Sequence, residues 1–138
     1  MVKKKFKLLF LLMIGLSTAS CNQGPRPLEV KIHQDHLCVF TNNSKTYYGV
    51  DNTFLIYLGK INYNKDFKST YEKLYTNVPL PIDEKNCVAI PLKEIERNIA
   101  YEIILDTNKS FHTSICLIDD DNNKLEVRYV EPGKSTCN

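Results

Sequence analysis

A repeat of two residues constrains this chain more than any other feature. Leu28, Val30 and Ile32 alternate with Glu29, Lys31 and His33, which sets apolar side chains on one face of an extended strand and polar ones on the other. Leu37–Thr41 is a second short strand behind a Gln34-Asp35 turn. Thr53–Ile61 is a third, rich in β-branched and aromatic residues, and Tyr71, Lys73 and Tyr75 alternating with Glu72 and Leu74 make a weaker fourth. Cys87–Leu92 is a fifth; Pro91 inside it cannot donate to a ladder and points to a sheet edge or strand end. Ala100–Thr107, Ser110–Ile118 and Leu125–Tyr129 complete the set, separated by Asn108-Lys109 and by the polar run Asp119–Asn123. Only Leu92–Ile99 has helical character, for about one turn.

Seven to eight short strands joined by polar turns predict an all-β fold, an antiparallel β-sandwich. An immunoglobulin-like arrangement is the first expectation. Antibody-type domains pack a tryptophan on their inter-sheet disulfide, and this chain has no tryptophan, so the expected likeness is one of architecture.

Residues 1–20 read as an export signal. Met1–Lys7 is cationic, Leu8–Leu16 is an apolar run of nine, and Ser17, Thr18, Ala19 and Ser20 are small. Nine apolar residues are too few to span a bilayer, which takes about 20, and the flanks are those of a cleavable signal. Cys21 follows directly. Thr18-Ala19-Ser20-Cys21 looks like a lipobox, in which the cysteine thiol is acylated and becomes the new N-terminus. The expectation is a lipid-anchored protein, and because Asn22 is not aspartate, an anchor in the outer membrane with the domain on its periplasmic face. Residues 21–27 read as a tether, with Gly24, Pro25 and Pro27 disfavouring helix, and 28–138 as a single domain.

With Cys21 committed to lipid, Cys38, Cys87, Cys116 and Cys137 remain. An even number in an exported domain favours disulfides, and four cysteines permit three pairings. Leu37-Cys38-Val39 and Asn86-Cys87-Val88 are similar strand contexts, which favours Cys38–Cys87 and leaves Cys116–Cys137 to tie the C-terminal tail to the preceding hairpin. No Cys-x-x-Cys is present, and the spacings suit no zinc ribbon or finger.

Charge narrows the function classes. Four of the 18 basic residues lie in the first seven positions and residues 1–20 hold no acid, so the rest carries 14 basic and 16 acidic side chains, a net charge of −2. Nucleic-acid binders need basic surface to displace counterions from phosphates, and none is expected here. His33 and His36 bracket a turn, where imidazoles need not converge, and His112 is remote, so neither metal nor catalysis is expected of them. Asp119, Asp121 and Asn123 alternate as in a calcium loop, but Lys124 replaces the glycine at the sixth position and Val130 the glutamate at the twelfth. A turn is the simpler reading. No Gly-x-Ser-x-Gly, phosphate-binding loop or spare thiol is present, so neither an enzyme nor a cofactor is expected. Tyr47-Tyr48 and the lysine-interleaved aromatics of Tyr63–Tyr75 are candidate partner anchors, or edge-strand decoration.

The signal and Cys21, then Arg26-Pro27, the Val30-Lys31-Ile32 strand, Leu37-Cys38-Val39, Pro81-Ile82, Asn86-Cys87-Val88, Pro91-Leu92 and Tyr101 follow one another in an order that resembles a small family of bacterial type VI secretion immunity periplasmic lipoproteins. Pro81 and Cys87 are further apart than in that family, and Cys116 and Cys137 are additional to its pattern. The resemblance implies an immunity protein that binds a toxin acting in the periplasm. The acidic turn Asp119, Asp120, Asp121, with Asp83-Glu84, would then face a cationic toxin cleft. The competing expectation is an accessory lipoprotein subunit of an envelope complex; a small-ligand or protease-binding lipoprotein is a third.

Overall fold

The alternation resolves into two sheets in the computed structural model, which describes residues 26–138. The signal segment, Cys21 and the first part of the tether lie outside the described residues. The nine strands are β1 Arg26–Pro27, β2 Glu29–His33, β3 His36–Phe40, β4 Thr53–Lys60, β5 Tyr71–Thr76, β6 Val88–Pro91, β7 Tyr101–Asp106, β8 Ser110–Asp119 and β9 Leu125–Tyr129. The smaller sheet has the order β2-β3-β6. The larger runs β1-β8-β7-β4-β5, with β9 also pairing with β8. Every pairing is antiparallel except that of β1 with β8. The protein is an all-β sandwich.

The core is the set of inward positions that the alternation dictates. Val30, Leu37, Val39, Val88 and Ile90 of the smaller sheet meet Phe54, Ile56, Leu58, Tyr101, Ile103, Leu105, Phe111, Ile115 and Leu117 of the larger. At roughly 1.5–3 kcal/mol for each fully buried large apolar side chain, this layer is the main source of stability. Tyr129 of β9 bridges the sheets at one side: its hydroxyl accepts from the Val30 amide at 3.0 Å and faces the Val30 carbonyl at 3.4 Å.

Two boundaries differ from expectation. Arg26 and Pro27, read as the end of the tether, pair with Phe111 and His112 of β8; a two-residue strand containing proline leaves no periodic signal. Leu92–Ile99 supplies only a 3₁₀ turn over Leu92–Glu94. Pro91 closes β6 on the edge of the smaller sheet, where its missing donor costs nothing.

Both expected disulfides form, Cys38–Cys87 and Cys116–Cys137. Neither crosses between the sheets. Cys38 follows inward-facing Leu37 and so points to the outer face of the smaller sheet, where its bridge holds down the loop ending at Cys87. Cys116 likewise points outward from the larger sheet, where it packs with Ala100, Ile118, Ile61 and Val130 and anchors the tail at Cys137.

Candidate functional site

The β7–β8 hairpin builds a walled recess on the outer face of the larger sheet. Its register pairs Glu102 with Ser114 and Ile104 with His112. Because Tyr101, Ile103 and Leu105 fill the core, Glu102, Ile104 and His112 stand on the outer face of the larger sheet. There the His112 Nδ1 lies 3.1 Å from Glu102 Oε1, both side chains about one-third exposed. They form the floor of a cleft of about 400 Å³ lined by Pro27, Tyr63, Thr113, Ser114, Val130 and Pro132.

Two segments wall this cleft, and each is fixed. The 61–70 loop folds against β4 at Gly59, where a Cβ would come within 2.9 Å of the Phe67 ring and 2.3 Å of the Lys68 carbonyl. Only glycine permits that approach. Phe67 then meets Tyr57 edge-on at 5.9 Å. The opposite wall is the C-terminal tail, pinned by Cys116–Cys137. The Tyr63 hydroxyl reaches the Lys134 carbonyl at 3.5 Å, joining the walls. Tyr63 is itself 65% exposed, an amphipathic ring on the rim. The cleft therefore offers a carboxylate–imidazole pair at its base and apolar sides above, suited to a cationic or hydrogen-bonding group on an aliphatic stem. His112 hydrogen-bonds Glu102 and no serine or threonine hydroxyl.

A second polar cluster covers the smaller sheet. Glu84 accepts from Lys31 Nζ at 2.9 Å and sits 2.8 Å from His33 Nε2. The hydrogen bond from Lys31, and then that from His33, holds the Glu84 carboxyl below its usual range, while the same contact pushes the Lys31 ammonium up. His36 turns instead to Asp35 at 3.2 Å. No group of three or more metal-ligating side chains converges among the described residues. At the open side between the sheets, Phe54 and Tyr75 stack at 5.0 Å and line a shallow apolar pocket of about 230 Å³ with Val78, Pro79, Cys87 and Val88.

The residues expected to bind a partner do not come together. Asp119 ends β8 and is paired with Arg97 at 3.0 Å. Asp120 caps its own turn, its Oδ1 accepting from the Asn122 and Lys124 amides. Asp121 is exposed at the tip. Tyr47 lies beside the β7–β8 turn, its carbonyl accepting from the Asn108 amide at 3.2 Å. The length of β8, ten residues or roughly 30 Å, separates it from the aspartates. Tyr48 turns inward, its hydroxyl donating to the Val78 carbonyl at 2.5 Å and its ring packing near Phe54; it lies partly buried against the core. Glu102 and His112 were open to sequence reasoning only through the outward parity of their strands, and nothing in the sequence shows that the tail roofs them. Compared with known protein families, curated proteins and solved structures, the chain matches none.

Proposed function

We propose that this chain is a lipoprotein anchored through Cys21 in the outer membrane, facing the periplasm, and that its sandwich binds and neutralises a secreted antibacterial toxin. The order of the strands supports an immunoglobulin-like domain, with β2, β3 and β6 standing for strands A, B and E and β4, β7 and β8 for C, F and G. Its bridge within one sheet, rather than between two, departs from the antibody type.

The observation that carries the reading is the walled cleft over Glu102 and His112. A recess whose sides are fixed by a disulfide and a tight glycine contact accepts a protruding side chain with little ordering cost. The His112–Glu102 pair has no nucleophile in hydrogen-bond contact, which favours binding over chemistry. The toxin class comes from the family resemblance, and the acidic balance of the domain suits a cationic partner.

The test is capture of the product of the adjacent gene by the intact lipoprotein. Glu102→Gln should weaken that complex by about thirtyfold, since losing one partner of a hydrogen-bonded charge pair at an interface commonly costs about 2 kcal/mol or more. Tyr63→Ala should weaken it about fivefold. A complex that forms with both variants at undiminished affinity removes the cleft from the interface. Neighbouring genes that encode envelope-assembly components and no toxin would turn the reading to an accessory subunit.

A further inference from the structure

The two ends of the sandwich differ in what they expose and in where the chain enters. Strand β1 runs parallel to β8, with Arg26 opposite Phe111, so the N-terminal side of Arg26 faces the β7–β8 turn at residues 107–109. Five residue-to-residue steps separate Cys21 from Arg26 and span at most about 18 Å. That reach is well short of the roughly 30 Å length of β8. An anchor at Cys21 therefore serves the end formed by the 42–52 loop and the 107–109 turn.

That end carries unusual surface. Val50 is 83% exposed and Tyr47 55%, and Lys45 and Lys109 are exposed beside them. Of the acids nearby, Asp51 is exposed and Asp106 is half-buried and accepts from the Ser110 hydroxyl; Glu29, opposite Phe40, and Asp83, next to Ile82, are exposed toward the base of the loop. The loop is held rather than loose. Buried Thr41 and Thr46 share a hydrogen bond at 2.7 Å, Gly49 donates to the Thr53 carbonyl at 2.8 Å, and Asn77 donates to the Asn52 carbonyl at 3.1 Å. Asp51 and Asn52 both adopt positive φ, a turn that leaves Val50 outermost. An aliphatic tip, an exposed tyrosine and flanking lysines are the composition of a surface that seats at a headgroup layer.

We infer that this end is a membrane-contacting surface, with Val50 and Tyr47 in the headgroup layer of an anionic bilayer and Lys45 and Lys109 on its phosphates. The inference rests on acylation of Cys21. It turns the opposite end, with the 119–124 turn, away from the membrane.

The absence of tryptophan makes the test direct. The full lipidated chain carrying Val50→Trp, placed in phosphatidylethanolamine–phosphatidylglycerol vesicles with brominated acyl chains, should lose at least half its tryptophan emission. Asn122→Trp, in the exposed far turn, should lose none. Adding Lys45→Gln and Lys109→Gln to the Val50→Trp chain should roughly halve the quenching. Vesicle-bound protein whose residue-50 probe is unquenched, or whose residue-122 probe is quenched instead, overturns the inference while leaving the anchor intact. Protein that fails to float with the vesicles refutes the anchor, and the surface assignment with it.

Discussion

The outer faces of the two sheets are each crossed by a segment without strand structure, and each segment is fastened by one disulfide; the results differ. Over the smaller sheet, Cys38–Cys87 draws the preceding loop flat, so that Glu84 can take both Lys31 and His33. Over the larger sheet, Cys116–Cys137 holds a tail that stands off the surface and leaves the Glu102–His112 cleft beneath its edge. The same covalent device closes one face and shapes a recess on the other. A bridge contributes stability through the loop it closes, and a site through what its ends leave uncovered.

Removing the first bridge sharpens this contrast most. Cys38→Ala with Cys87→Ala opens a separation of 49 residues and should cost about 4 kcal/mol by loop closure, read as a lower denaturant midpoint, because the fully buried Cys38 also loses its packing partner. Partner affinity of the chain that remains folded should be unchanged. Cys116→Ala with Cys137→Ala opens a separation of only 21 and should cost about 3 kcal/mol. Here the tail from residue 130 onward should lose amide-exchange protection and partner binding should weaken. Equal effects of the two double variants on binding would break the comparison.

The smallest effect belongs to Glu84→Gln. The Glu84 carboxyl is held below its ordinary value of 4.5, so the folded state binds its proton less readily than the unfolded chain. Its contribution is present above the unfolded pKa and fades as pH falls through the lower folded value. The variant should therefore show a shallower loss of stability below about pH 4.5 and little change at neutral pH, as expected for an exposed ion pair. An acid limb identical to that of the parent chain would show that the Lys31–Glu84–His33 contacts do not latch the loop.

Most strands were legible because they are half-buried and alternate; β3, buried on both faces, still showed as the apolar run Leu37–Phe40. The disulfide partners were legible from the matching contexts of Cys38 and Cys87, and turns from asparagine and aspartate, as at Asn123, which adopts φ 59°. Which strand joins which sheet was not, since period-two patterning fixes a face and says nothing of neighbours. Arg26–Pro27 escaped because its pairing depends on β8 having an unoccupied stretch of edge beyond β9. Tyr47 and Tyr48 looked like one patch, yet adjacent residues on an extended segment point opposite ways. The cleft was least legible, since its base comes from one hairpin, its walls from residues near 63 and 132, and its fastening from Cys137.

Because that tail forms one side of the cleft and is tied down at Cys137, anything attached just beyond Cys137 starts beside the recess. A purification handle or fluorescent reporter attached there would crowd an incoming ligand while leaving the sandwich folded, and would mimic a binding defect. Reporters are better inserted within the largely exposed 120–124 turn, which Asp120 holds through its own bonds to the Asn122 and Lys124 amides.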